Sequence, residues 1–281
     1  MTKMKLYNKT AFKTSEIVTT SYSTSFSYAT GLLEKKQRKA IYSIYGFVRF
    51  ADEIVDTFHK HNKQVLLEQF EIDLYKSIQE GISLNPVLHS FQKTVKKYRI
   101  PNEYIDAFLN SMKADLEKKN YFCKTETDEY IYGSADVVGL MCLRVFCNGN
   151  EKKFNRLKTP AMKLGSAFQK VNFLRDLKND CHTLGRNYFP NTDISTFDET
   201  VKKQIVNEIK NDFDQAYPGI QQLPKNSRTA VLLAYLYYRG LLKKLENTPA
   251  EKIKKQRIRL SNFNKIILLF KAKTLSNLNM V

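Results

Sequence analysis

Between Gly165 and Pro190 the chain reads GSAFQKVNFLRDLKNDCHTLGRNYFP, in which Asn172, Asp176 and Asp180 recur at intervals of four. If this stretch is helical as far as Asp180, the three stack on one face as a polar column about 12 Å long. Oxygen ligands in such a column suit divalent cations better than they suit a core. A second stretch, RFADEIVD from Arg49 to Asp56, repeats the device: Asp52 and Asp56 lie four apart, with Arg49 one turn earlier, much as Arg175 stands beside Asp176. A lone acidic pair is common on solvated helix faces, so the conjunction carries the argument. Two such columns far apart in sequence point to one site between facing helices. Four carboxylates brought together without cations would repel one another and lose hydration, so convergence implies metal. Mg2+, a hard ion that also binds phosphate oxygens, fits best, with Mn2+ as the alternative.

The elements that must hold these residues read as helices. From Lys36 to Phe58, Ile41, Ile44, Tyr45, Val48, Ala51, Ile54 and Val55 recur at three and four, which predicts an amphipathic helix carrying Asp52 and Asp56 beside its apolar stripe. Residues 12–33 contain the hydroxyl-rich run TTSYSTSFS, in which Tyr22, Ser25, Phe26 and Ala29 could share a helical face; the hydroxyls read as caps or as phosphate donors. Patterns over 63–80, 86–98 and 101–119 read as scaffold. The segment from Asp128 to Cys147 is apolar and holds Gly133, Ser134, Ala135 and Gly139, small enough to admit another helix or a long apolar ligand; it reads equally as a cavity wall or a buried core helix. Pro160 is expected near the start of the helix that carries the first column, with Gly185 in the loop after it. A helix over 198–216, a proline-marked loop YPGIQQLP and a tyrosine-rich helix from Ser227 to Glu246 follow.

With 281 residues, 42% of them hydrophobic, no solenoid-length repeat and no low-complexity linker, one all-α domain over 1–281 is the economical architecture. The four cysteines and four histidines form no CxxC or zinc pattern, and no apolar run approaches the roughly 20 residues needed to span a bilayer, so a cytoplasmic protein is expected. A net charge of +18 calls for anionic partners; without clustered base-reading motifs, nucleic acid is not expected among them. Residues 251–281 carry a net +7 together with the apolar run IILLF. That tail reads either as a membrane-surface helix, giving peripheral membrane association, or as a basic helix packed on the bundle.

Carboxylates, Mg2+ and arginines around an apolar cavity suit the ionisation of an allylic diphosphate. The cations stabilise the departing diphosphate, aromatic faces stabilise the carbocation, and dry walls keep water from it. At this level of detail the chain resembles the squalene and phytoene synthase family, the head-to-head branch of the all-α isoprenoid synthases. The matching motifs are YSTSF at 22–26, YGFVRFADEIVD at 45–56, YIYGSADVVG at 130–139, QKVNFLRDLKND at 169–180 with GRNYFP after it, and YRGLLKKLE at 238–246.

The resemblance implies an isoprenoid-synthase helical bundle around a central apolar cavity. It implies Mg2+ on Asp52 and Asp56 for one prenyl diphosphate and on Asn172, Asp176 and Asp180 for the other. Arg49 and Arg175 would hold diphosphate oxygens, with Ser25 close by and Gln169 and Arg186 as further contacts. Tyr130 would serve diphosphate departure and proton handling, and Tyr238 would lie near the same pocket; together the two are expected to help close the cavity. Two departures stand out. Thr24 occupies a place where many relatives have a basic residue, so another lysine would have to supply that contact; and Asp136 on an apolar helix needs a partner, such as an arginine or a metal-bound water. Small Ala29, Thr30 and Gly31 favour long chains, hence two geranylgeranyl diphosphates and a phytoene-type product without NADPH. Two farnesyl diphosphates, giving squalene or dehydrosqualene, are the alternative. A non-catalytic basic protein that binds membranes or a partner is the reading of another class.

Overall fold

The spacing at three and four is realised as helices throughout. The computed structural model describes residues 2–190, 192 and 194–278, and among these there is no strand, only an isolated bridge between Asn120 and Asn187. Helix α1 (Lys3–Tyr22) stops at Ser23, which turns extended; the Ser23 hydroxyl then accepts from the Phe26 amide and so caps α2 (Thr24–Gly31). The hydroxyl run therefore straddles a helix break, and Tyr22 does not share a helix with Ser25 and Phe26. Helix α3 (Lys35–Asp56) buries Ile41, Ile44, Phe47, Ala51, Ile54 and Val55 and ends on Asp56, which places Asp52 and Asp56 in its last turns.

Helices α4 (Lys63–Glu80), α5 (Pro86–Tyr98) and α6 (Asn102–Glu117) pack around α3. Helix α7 (Lys124–Ile131) passes through one π-turn, Tyr132–Asp136, into α8 (Val137–Cys147). The π-turn presses Gly133 so close to α6 that a Cβ there would lie 2.6 Å from the Ala107 carbonyl oxygen. The run Lys124–Cys147 is long and apolar enough to cross a membrane, contrary to the expectation that none would be; more than half of its most apolar window is buried inside the bundle, as for a core helix.

Helix α9 (Glu151–Asn179) is the longest and packs on α8, α10, α11 and α12. It starts nine residues before Pro160, not at it, and Asp180 opens a second π-turn that ends at Gly185, in the left-handed region at φ 64°. Helix α10 (Glu199–Gln221) likewise runs through Pro218 where a loop was expected. These two differences share a cause. Pro160 sits against Gly219, where a Cβ would meet the proline ring at 2.3 Å, so the bulk of one helix fills the gap left by the other. Helices α11 (Lys225–Glu246), α12 (Ala250–Lys255) and α13 (Asn262–Asn277) complete the chain.

Two apolar clusters result, one built on α3, α5, α6 and α8, the other on α9, α10 and α11. Between them lies a cavity of about 300 Å³, walled by α2, α3, α8, α9, α10 and α11. Ala135, Val138, Gly139 and Cys142 line it, so the small-residue segment is a cavity wall as well as a core helix. Ala29 and Thr30 line it too, whereas Gly31 is exposed outside it.

Candidate active site

Tyr45 and Val48 on α3 and Leu164 and Phe168 on α9 line this cavity, and the polar residues follow in the next turns of each helix. On α3, Arg49 lies 3.6 Å from Asp52 and its Nη2 donates to the Tyr45 hydroxyl at 3.2 Å; Tyr45 itself lines the cavity and stacks on Phe26. The Arg49 Nε is buried without a hydrogen-bond partner, a donor left for an anion. On α9, Gln169 accepts from Asn172 at 3.4 Å, the Tyr238 hydroxyl donates to Asn172 Oδ1 at 3.3 Å, and Arg175 forks onto Asp176. Tyr238 stacks on the cavity residue Phe168 with centroids 4.0 Å apart. Ser25 is half-buried on α2 between Thr24 and Phe26.

Arg186 ties the two columns together. After the π-turn at Asp180 its backbone amide donates to the Asp180 carbonyl at 2.7 Å, and its side chain crosses to α3, donating to Asp56 Oδ1 at 2.8 Å and to the Asp115 carbonyl at 3.0 Å. Behind it is a buried group absent from the sequence-based set: Asp115, at the end of α6, accepts from the Tyr130 hydroxyl at 2.6 Å and from the Tyr188 hydroxyl at 3.1 Å. Tyr130 thus does not line the cavity. It packs with Tyr121, Phe173 and Tyr188 on the aspartate side, which corrects the expectation that it helps close the apolar chamber.

Two more cations come from the tail. Arg257 reaches Asp176 at 2.6 Å, and Lys265 donates to Thr24 Oγ1 at 3.1 Å, so a lysine does stand where the first motif lacks a basic residue. The helical patterns could not reveal Arg257, Lys265 or Asp115, because nothing in their local spacing distinguishes them from surface charge. Asp136 has found a partner other than those expected: the Ser166 hydroxyl donates to it at 2.8 Å.

Burial disfavours ionisation of the carboxyls across the site. Burial pushes the Asp52 carboxyl up to about 7, with Asp56 and Asp115 adding to the effect against the pull of Arg49. Burial raises Asp180 to about 7 as well, helped by Asp176 and Asp56 and opposed by Arg186. Asp115 is raised to about 6 by burial, against Arg186 and the Tyr130 hydrogen bond. Among the described residues no three carboxylate, histidine or cysteine groups already converge as a metal cluster; the aspartates are held apart on arginines. An all-oxygen donor set whose members are held back from ionising by burial fits a hard divalent cation, whose charge would favour the carboxylates.

The squalene/phytoene synthase family model matches residues 19–264. The chain is 29% identical to phytoene synthase 2, chloroplastic, of Solanum lycopersicum over 82% of its length and 79% of that protein's. It is 28% identical to phytoene synthase 1, chloroplastic, of Zea mays over 80% of its length, spanning 59% of that protein. Among solved structures, a dehydrosqualene synthase in complex with ligand superposes with a TM-score of 0.82 at 22% identity, covering 96% of this chain and 98% of that one. The squalene synthase HpnC of Alicyclobacillus acidocaldarius gives 0.75 at 20% identity, over 90% and 97%. At these identities the likeness to solved structures concerns the fold.

Proposed function

The chain belongs to the squalene/phytoene synthase family, whose members are prenyltransferases, and from that premise we propose that it joins two geranylgeranyl diphosphates head to head and forms phytoene. The observation that supports the proposal is that, along both α3 and α9, residues lining an apolar cavity are followed within the next turns by the aspartate columns and their arginines, with Arg186 reaching Asp56. Phytoene synthases among the relatives and the small Ala29 and Thr30 in the cavity wall support the longer substrate.

Asp52 and Asp56 on one helix, and Asn172, Asp176 and Asp180 on the other, would hold Mg2+ through oxygen atoms. Bound there, the ions supply charge stabilisation for the diphosphate as it departs. Arg49, with its unspent Nε, and Arg175 bind diphosphate oxygens, with Ser25, Gln169 and Arg186 beside them; Lys265 adds a cation next to Thr24. The allylic cation left by the first substrate alkylates the double bond of the second, and loss of a proton closes a cyclopropylcarbinyl diphosphate. The second diphosphate then leaves, the carbon skeleton rearranges, and loss of another proton gives phytoene with a conjugated triene at its centre. The Tyr130 and Tyr188 hydroxyls, both donating to Asp115, would orient the leaving group. Phe26, Tyr45 and Phe168 offer aromatic faces to the carbocation and exclude water.

The test is incubation of the purified protein with Mg2+ and either geranylgeranyl or farnesyl diphosphate, followed by identification of the hydrocarbon. Phytoene from the longer substrate is expected. Exclusive turnover of farnesyl diphosphate would overturn the chain length, and turnover of neither would overturn the activity.

A further inference from the structure

Helix α13 packs on the bundle through one side only. Ala272 is fully buried, and Leu268 lies against α11 near Gly240. On the opposite side Phe263, Ile266, Ile267 and Phe270 are 72%, 47%, 47% and 65% exposed. At about 100° per residue these four fall within one arc of about 100°, and the exposed Lys271 and Lys273 lie about 90° to one side of its centre and about 70° to the other. A soluble surface scatters its large apolar residues, whereas this helix collects four into one stripe edged by ammonium groups. The preceding segment adds exposed Lys252, Lys255, Arg257 and Arg259. The sequence allowed two readings of the tail, a packed basic helix or a membrane-surface helix; the structure shows a packed helix whose outer face remains uncovered.

We propose that this face of α13 is a docking surface for an anionic lipid bilayer, with the four apolar side chains entering the acyl boundary and the flanking lysines meeting lipid phosphates. Charge complementarity favours this occupant over a second copy of the chain, since pairing two such faces would bring two tails of net +7 together. The position of the face gives it a purpose that rests on the function proposed above. The start of α13 is fixed to α2, whose Phe26, Ala29 and Thr30 line the cavity: Lys265 donates to Thr24 Oγ1, and the Tyr237 hydroxyl donates to the Lys265 carbonyl at 3.1 Å. Docking there sets the cavity mouth beside the lipid, where prenyl chains can enter and a hydrocarbon product can leave.

Co-sedimentation of the full chain with phosphatidylcholine vesicles, with or without phosphatidylglycerol, tests the docking. The expected result is binding about tenfold tighter to the anionic vesicles, with the preference lost in high salt. Phe263→Ser/Phe270→Ser should lower binding by about tenfold or more while keeping the wild-type melting temperature. Lys271→Gln/Lys273→Gln should weaken the preference for anionic lipid. Wild-type protein that stays in the supernatant with both vesicles overturns the proposal, as does a double Phe variant that binds like wild type. So does sedimentation equilibrium showing a dimer that the Phe substitutions split, without vesicle binding. Asp52→Ala should bind vesicles normally, and diphosphate release assayed without lipid reads the proposed chemistry separately, so either claim can fail alone.

Discussion

Asp115 holds two tyrosine hydroxyls and faces the arginine that spans the aspartate columns, so its contribution is to fix the geometry of groups that would touch diphosphate. Asp115→Asn should lower turnover by about 10- to 100-fold, with a smaller change in KM, as measured by steady-state diphosphate release. An unchanged kcat would remove Asp115 from the account. Asp136 provides a test through stability. Burial raises it to about 7, against the Ser166 hydrogen bond, with Asp212 adding to the rise and Lys163 and Lys170 opposing it. The folded value stands above the roughly 3.9 of an unfolded Asp, so the associated stability is full below about pH 4 and is lost as pH rises through 7, on the order of 4 kcal/mol in all. Asp136→Asn should therefore flatten the fall in Tm between pH 5 and pH 8; parallel curves would contradict the assignment. At this scale the sequence disclosed the column aspartates, because they repeat at helical intervals. It concealed Asp115, Arg257 and Lys265, whose meaning arises only when distant helices meet.

The helices depend on a few close approaches. Gly133→Ala would drive a Cβ into the Ala107 carbonyl and should destabilise by about 1–3 kcal/mol, a loss of several degrees in Tm by differential scanning calorimetry. Gly219→Ala should act similarly, and Pro160→Ala should not rescue it, because the nearest atom, the Pro160 Cβ, persists in alanine. Helix positions were legible wherever apolar residues recurred at three and four, as in α3, α4, α5 and α11. The break at Ser23 was not, since a serine that caps one helix looks the same as a serine within another. Nor was the continuation through Pro160 and Pro218, because local proline rules are overridden here by a tertiary fit between α9 and α10.

At the scale of the molecule, two apolar clusters face each other across the cavity, and charged residues of α3, α9 and the tail are joined through Arg186–Asp56 and Arg257–Asp176. The sequence motifs foretold the cavity because family resemblance carries long-range arrangement that periodicity lacks; the stripe on α13 and the tail's cations at the rim had to be seen in three dimensions. Ligand and metal should tie the halves together: Mg2+ with a non-hydrolysable prenyl diphosphate analogue at about 100 times its Kd should stabilise the wild type by about 2.7 kcal/mol. That gain, read as a shift in Tm, should be absent without Mg2+. The central claim is that the two aspartate columns form one diphosphate-ionising site, and the most direct measurement is Mg2+-dependent diphosphate release by the wild type, Asp52→Ala and Asp176→Ala in parallel. Release should need Mg2+ and should fall at least about 100- to 1,000-fold in each variant while both remain folded. Undiminished release by either variant would contradict the account.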